Sequence, residues 1–157
     1  MKRNLKMVAL FVVLVFATGM AVSLIVRAQP TPNDGSGRYR SPFDLSYSPD
    51  GKWIAVSDRT AGALSIIDVA AGQAVRQVAL DGEATGVVWS PSGQSVFVAE
   101  YRSGTACEIN PATGAIVRRL PAGPRPMGLA VAPNRGLLLS ANYATHTVTV
   151  SDIASGK

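Results

Sequence analysis

The sequence predicts an all-β fold of the β-propeller class, with about 2.6 four-stranded blades of 42 residues between residues 41 and 157. Three observations predict it. A turn, Ser48-Pro49-Asp50-Gly51, returns 42 residues later as Ser90-Pro91-Ser92-Gly93 and again, weakened, as Ala132-Pro133-Asn134-Arg135. Each copy divides into four short apolar runs separated by Gly, Pro, Asn and Ser. No segment after residue 30 sustains a helical period. A fixed period of about 40 residues, in units too small to bury their own faces, is the mark of blades stacked side by side.

The chain begins with a leader. Lys2, Arg3 and Lys6 precede an uncharged apolar run over 7–26, and Arg27-Ala28-Gln29 and a Pro/Gly/Ser stretch follow it. A positive start, an apolar segment and a small residue at a cleavage position make a secretory signal peptide. Residues 1–28 are expected to be that peptide, with Val26 and Ala28 as the minus-three and minus-one residues. Uncut, the same run is long enough to anchor the chain, since about 20 residues at 1.5 Å each span roughly 30 Å of hydrocarbon. A buried core helix is the poorer reading, because no polar face interrupts the run. Residues 29–40 read as a linker. Everything beyond is expected to be exported to the periplasm or the medium, with inner-membrane anchoring as the alternative to cleavage.

That leader accounts for most of the charge. The chain has 15 Lys+Arg against 10 Asp+Glu, a net of +5. Setting aside Lys2, Arg3, Lys6 and Arg27 leaves 11 basic and 10 acidic residues, a net of +1. No Lys/Arg cluster remains that could follow a phosphate backbone, so nucleic acid is excluded as partner. With 47% hydrophobic and 16% charged residues the chain is not disordered. Cys107 and His146 are the only residues of their kinds, which rules out an internal disulfide and a Cys/His zinc site. Without a Cys-x-x-Cys-His no haem is attached, and no metal or cofactor is expected in this chain.

The register of the repeat holds throughout. Asp68, Asn110 and Asp152 share one position, as do Gly72, Gly114 and Gly156. In the middle copy the runs 86–89, 95–101, 105–109 and 115–120 read as strands, rich in Val, Ile, Phe and Tyr and bounded by turns. Several runs are apolar on both faces, so both sides of each sheet must be covered. Asp50 and Asp68 are replaced in the next copy by Ser92 and Asn110, which keep the capping ability and lose the charge. Their role is therefore structural. Trp89, aligned with Tyr47 and Val131, is expected to pack between blades, and Cys107, aligned with Ser65 and Thr149, to be an inert strand residue.

Gly86-Val87-Val88-Trp89-Ser90-Pro91-Ser92-Gly93 followed by Val96-Phe97-Val98-Ala99 resembles the YVTN-type bacterial propeller repeat. So do Leu138-Leu139-Ser140-Ala141-Asn142-Tyr143 and the Thr147-Val148-Thr149-Val150-Ser151-Asp152 run that follows. The resemblance covers about residues 41–157. It implies an exported, seven-bladed bacterial propeller, near the quinoprotein amine dehydrogenase heavy chain, cytochrome d1 and lactonase-like propellers. Asn134-Arg135 departs from the usual Asp-Gly, and the signature tetrapeptide is not intact. The Trp-Asp type of repeat is the rival, but no Trp-Asp pair closes a strand.

Counted from the Ser-Pro turn, 48–89 and 90–131 are full units and 132–157 is an incomplete third. Seven such blades need roughly 290 residues. The sequence therefore reads as the N-terminal piece of a longer propeller, with a ring of several copies as the alternative. Its loops at 58–62, 100–104, 142–146, 81–84 and 122–127 should gather at one mouth of the ring. There Arg59, Glu100, Arg102, Arg125 and His146 are the candidate binding residues, for an anion or a partner. His146 stands where the other copies have Gly62 and Gly104. No catalytic constellation is present. The expected function is a binding or interaction scaffold for a protein, glycan or small molecule, with possible self-association of open blades. The alternative is the N-terminal part of a periplasmic redox enzyme of the cytochrome c, peroxidase or quinoprotein kind.

Overall fold

The computed structural model describes residues 40–157; the predicted leader, 1–28, and all but the last residue of the predicted linker lie outside the described residues. Three antiparallel sheets follow one another along the chain. The first holds β1 (Pro42–Tyr47), β2 (Trp53–Asp58), β3 (Ala63–Asp68) and β4 (Gln73–Ala79), hydrogen-bonded in that order. The second repeats the plan with β5 (Ala84–Trp89), β6 (Val96–Glu100), β7 (Thr105–Ile109) and β8 (Ile116–Pro121). In the third, β10 (Leu137–Asn142) lies between β9 (Pro126–Ala132) and β11 (Thr147–Asp152). Up-and-down sheets of this kind, packed face to face, are blades of a β-propeller.

The sheets begin at residues 42, 84 and 126, so the sequence period survives in space. Even irregularities repeat: the β3–β4 ladder shifts register at Ile66/Ile67 and the β7–β8 ladder at Glu108/Ile109. The turns explain why. In the first blade the Ser48 hydroxyl donates to Asp50 at 2.6 Å and accepts the Trp53 N–H at 2.9 Å. Ser90 accepts the Ser95 N–H at 3.0 Å in the second. At the β3–β4 turn Asp68 accepts the Ala71 N–H, and at the same repeat position Asn110 accepts those of Ala112 and Thr113. Asp and its uncharged substitute do the same work, which is to satisfy turn N–H groups. The hydrogen bond from Ser48 holds the Asp50 carboxyl below its ordinary value.

Two apolar seams join the blades. Between the first and second, Ala55, Leu64, Ile66 and Val78 meet Val87, Trp89, Val96, Val98, Cys107 and Ile109. Trp89 also donates its indole N–H to the Ser46 carbonyl at 2.9 Å, and Asp44 accepts the Val87 N–H at 3.0 Å. Between the second and third, Phe97, Ala106 and Leu120 meet Leu138, Leu129, Val131 and Ile153. Here Gly86 lies directly on Gly128, with room for no side chain between them. Thr85 and Ser151 bridge this seam through the carbonyls of Pro126 and Pro121, both at 2.6 Å.

Candidate functional site

The β2–β3 and β6–β7 turns lie at the same end of the blades as the β4–β5 and β8–β9 links. Leu80 donates its N–H to Gly62 at 2.8 Å and Ala122 to Gly104 at 2.9 Å, tying each link to the turn of its own blade. Gly62 is pressed so close to Gly82 that a Cβ would sit 2.6 Å from the Gly82 carbonyl oxygen, and at φ 60° only glycine is at ease. The result is an open cleft of about 490 Å³ where the first and second blades meet, its lining including Arg59, Thr60, Leu80, Asp81, Glu83 and Arg102.

Glu83 is the hub of this cleft. Arg59 on the first blade donates its Nε to one carboxylate oxygen at 2.9 Å, and Arg102 on the second donates to the other at 2.8 Å. Arg59's hydrogen bond, followed by that of Arg102, lowers the Glu83 pKa from its ordinary value. The Arg59 guanidinium also stacks over Tyr101, 4.9 Å from the ring centroid, and lies 5.7 Å from that of Phe43. Arg125 approaches Tyr101 as well, at 5.7 Å. Among the described residues Arg125 has no carboxylate partner, and it holds a left-handed φ of 53°.

The five predicted residues therefore divide. Arg59, Arg102 and Arg125 come together around Glu83 and Tyr101. Glu100 lies behind them, fully buried, its carboxylate taken by Arg119 at 2.8 Å, by the Thr105 hydroxyl at 2.8 Å and by the Asp81 N–H at 3.2 Å. Arg119 continues to Asp81 at 2.6 Å. Glu100 thus fixes the loop that carries Glu83 and presents no oxygen of its own to the cleft. His146 sits exposed on the third blade with φ 56°, the backbone that Gly62 and Gly104 adopt at φ 60° and 72° in the other two. Its alignment with glycine is thereby explained, and its ring joins none of the others.

Reading the sequence missed Glu83, Tyr101 and Arg119 as named members. Glu83 and Tyr101 matter through contacts between blades, which no local pattern displays. Glu100 carried a signal that was there to use: the 42-residue offset aligns it with Asp58 and Asn142, and all three are buried. Asp58 accepts the N–H groups of Ser41 and Ala61, while Asn142 donates to Thr147 and Thr149. One buried polar residue per blade ends the second strand and ties the turn. Cys107 is fully buried, and burial pushes its thiol up to about 12. Among the described residues no group of three His, Cys, Asp or Glu side chains converges as a metal site would require.

Sheet order, blade seams and a loop-built rim define the fold as part of a β-propeller. Solved structures agree. Hydrazine synthase of Kuenenia stuttgartiensis superposes with a TM-score of 0.69 at 17% identity, over 90% of this chain and 37% of that one. The β-propeller domain of Myceliophteria thermophila Cps50 (Swd1) gives 0.63 at 18% identity, over 74% of this chain and 38% of its own. U3-55K gives 0.68 at 16% identity, over 77% and 38%. At such identities the likeness is one of fold, and this chain spans well under half the length of each. No protein-family model and no curated protein sequence matches the chain.

Proposed function

We infer that this is an exported propeller scaffold of the YVTN-type repeat group, which binds a partner through the rim that carries Arg59, Arg102 and Arg125. The observation that carries the reading is the cleft itself: arginines from two blades converge on a single carboxylate, and a third arginine stands beside them without one. Such a rim has charge, aromatic surface and shape, and it has no nucleophile paired with a base. Arg and Tyr are also the side chains that concentrate binding energy at protein surfaces.

The full scaffold is a larger ring, whose further blades belong to a longer reading frame. The outward face of the first blade supports this. Its Leu45, Tyr47, Ile54, Val56 and Ile67 occupy the repeat positions of Val87, Trp89, Val96, Val98 and Ile109, which the second blade buries against the first. Re-sequencing downstream of Lys157 tests that part, and a stop codon with no further repeats would sink it. Fractionated cells test export: the periplasmic species should lack the 28-residue leader or stay with the inner membrane.

Rim binding is tested in the native host by a photo-crosslinking residue in place of Thr60, an exposed residue of the cleft, or of Ser92 at the opposite end of the blades. Adducts from position 60 alone are expected. Adducts from both positions, or from neither, refute a rim-directed scaffold.

A further inference from the structure

Four side chains form a strip along the rim, and each link between them is a contact. Phe43 meets Arg59 at 5.7 Å, Arg59 meets Tyr101 at 4.9 Å, and Tyr101 meets Arg125 at 5.7 Å. Beyond them the backbone of Tyr143 lies beside that of Arg125, its N–H bonded to the Arg125 carbonyl at 3.0 Å. Aromatic and guanidinium groups alternate along this strip, which runs from the first blade across the second to the link before the third. The same repeat position supplies Arg59, Tyr101 and Tyr143, so each sits where its blade's second strand turns at the mouth. Tyr143 and Phe43 are exposed, and Arg102 is 75% exposed beside the strip.

Charge along the strip is uneven. Glu83 offsets one of the positive charges of Arg59 and Arg102, and among the described residues Arg125 has no carboxylate opposite it. Only about a quarter of the Glu83 side chain is exposed, yet the cleft in front of it is open. Glu83 shows what the cleft accepts: one carboxylate, each oxygen taking a charge-assisted hydrogen bond from a different guanidinium. Arg102 is the more exposed of the two, and the one an incoming acid could reach.

We propose that this rim strip binds an acidic polypeptide segment in extended form, with partner carboxylates on Arg102 and Arg125 and apolar side chains against Phe43, Tyr101 and Tyr143. The proposal rests on the rim-binding reading above and names the chemistry of its ligand. An extended chain sends successive side chains to opposite sides, so acidic and apolar residues spaced two apart share one face. That spacing suits a strip on which guanidinium and aromatic groups alternate. Glu83 is the internal stand-in that a partner carboxylate displaces from Arg102. Removing its charge therefore frees a guanidinium for the ligand instead of damaging the site.

The test uses the full chain purified in mild detergent, with fluorescein-labelled octaglutamate as probe and octaglutamine and polygalacturonate as comparisons. Fluorescence anisotropy should show binding of octaglutamate alone, weakened by added salt. Arg102→Ala and Arg125→Ala should each raise Kd about tenfold, the loss of one charge-assisted contact. Glu83→Gln should lower it about threefold or more, since the competing carboxylate is gone. Circular dichroism reports whether each variant keeps its sheet. Equal affinity for octaglutamine, tighter binding of polygalacturonate, or an Arg102→Ala, Arg125→Ala double variant that binds normally would overturn the proposal. So would a folded Glu83→Gln variant whose affinity is unchanged or weaker. Failure of octaglutamate to bind while crosslinks from position 60 persist overturns the acidic chemistry and leaves the rim reading standing.

Discussion

The second blade and the first are built on the same repeat, yet they hold equivalent residues in opposite surroundings. Trp89 is 6% exposed and Val87 is 4%, whereas Tyr47 and Leu45 at the same two positions are 57% and 59% exposed. The third blade shows the complementary contrast: Val148 and Val150 are exposed where the second blade buries Ala106 and Glu108. Composition does not explain these differences, because large apolar side chains occupy the open faces too. Coverage does. A propeller blade has no interior of its own, and each of its faces is completed only by a neighbour.

The sharpest way to test that contrast is to truncate one residue of each pair. Trp89→Ala removes a buried indole and its hydrogen bond to Ser46, and is expected to cost about 3–5 kcal/mol. Tyr47→Ala removes a ring of similar size from an open face and should stay within about 0.5 kcal/mol. Denaturant unfolding of the two variants makes the comparison. If Tyr47→Ala costs as much as Trp89→Ala, the open face is covered in solution and the contrast is broken.

Glycines allow a second, somewhat smaller contrast. A Cβ on Gly86 would lie 2.8 Å from the Gly128 Cα, the Leu129 nitrogen and the Met127 oxygen, all backbone atoms that cannot rotate away. Gly86→Ala should wedge the second and third blades apart, costing on the order of 3 kcal/mol. Gly51 has nothing within 4 Å, so Gly51→Ala meets only the strain of its φ of 70°. That strain is about 1–2 kcal/mol. Thermal unfolding should rank the pair in that order, and equal midpoints would show that the seam adjusts.

Much of this was legible in the sequence. The 42-residue offset gives the blades, and turn residues bracket each strand of the middle copy to within about two residues, since Ser, Pro, Asn and Gly act locally. Residue 146 was legible in the same way: a histidine aligned with two glycines adopts their left-handed backbone. The phase of the unit was not. Counting from Ser48, Ser90 and Ala132 begins each copy at the strongest turn, whereas the sheets begin at Pro42, Ala84 and Pro126. A repeat has no intrinsic starting point, and only strand pairing sets one. The rim divided likewise. Its loops were readable from turn chemistry, but that Glu83 bridges Arg59 and Arg102 depends on two blades facing each other. That Glu100 is spent on Arg119 depends on three strands meeting side by side.

Acid compares the rim with the blade seams. Glu83 titrates below its ordinary value, so its contribution is present above the unfolded value of about 4.3 and is lost as pH falls through the lowered one. Wild type should exceed Glu83→Gln in stability by at most about 1 kcal/mol at pH 7, because the pair is partly solvated. The difference should vanish in stronger acid. The cost of Trp89→Ala, an apolar seam, should persist across the same range. A Glu83→Gln difference that survives acidification would mean that the side chain acts by packing instead of by charge.

The smallest effect is a rate, and it addresses the open face most directly. Cys107 is buried at the seam with its thiol raised to about 12, so at pH 8 only about one part in ten thousand is thiolate. It should react with a thiol reagent only on unfolding. Ser65 holds the same repeat position in the first blade, paired across the ladder with Val56 on the outward face. In a Cys107→Ala background, Ser65→Cys should have a thiol near the ordinary value of about 8.5 and react within minutes at pH 8. One chemical group at one repeat position then reports whether a neighbour is present. Rapid labelling of the purified chain together with protection of the same residue in intact cells would reveal a covering blade. Rapid labelling in both places would leave the first blade open in its native setting and remove the need for a larger ring.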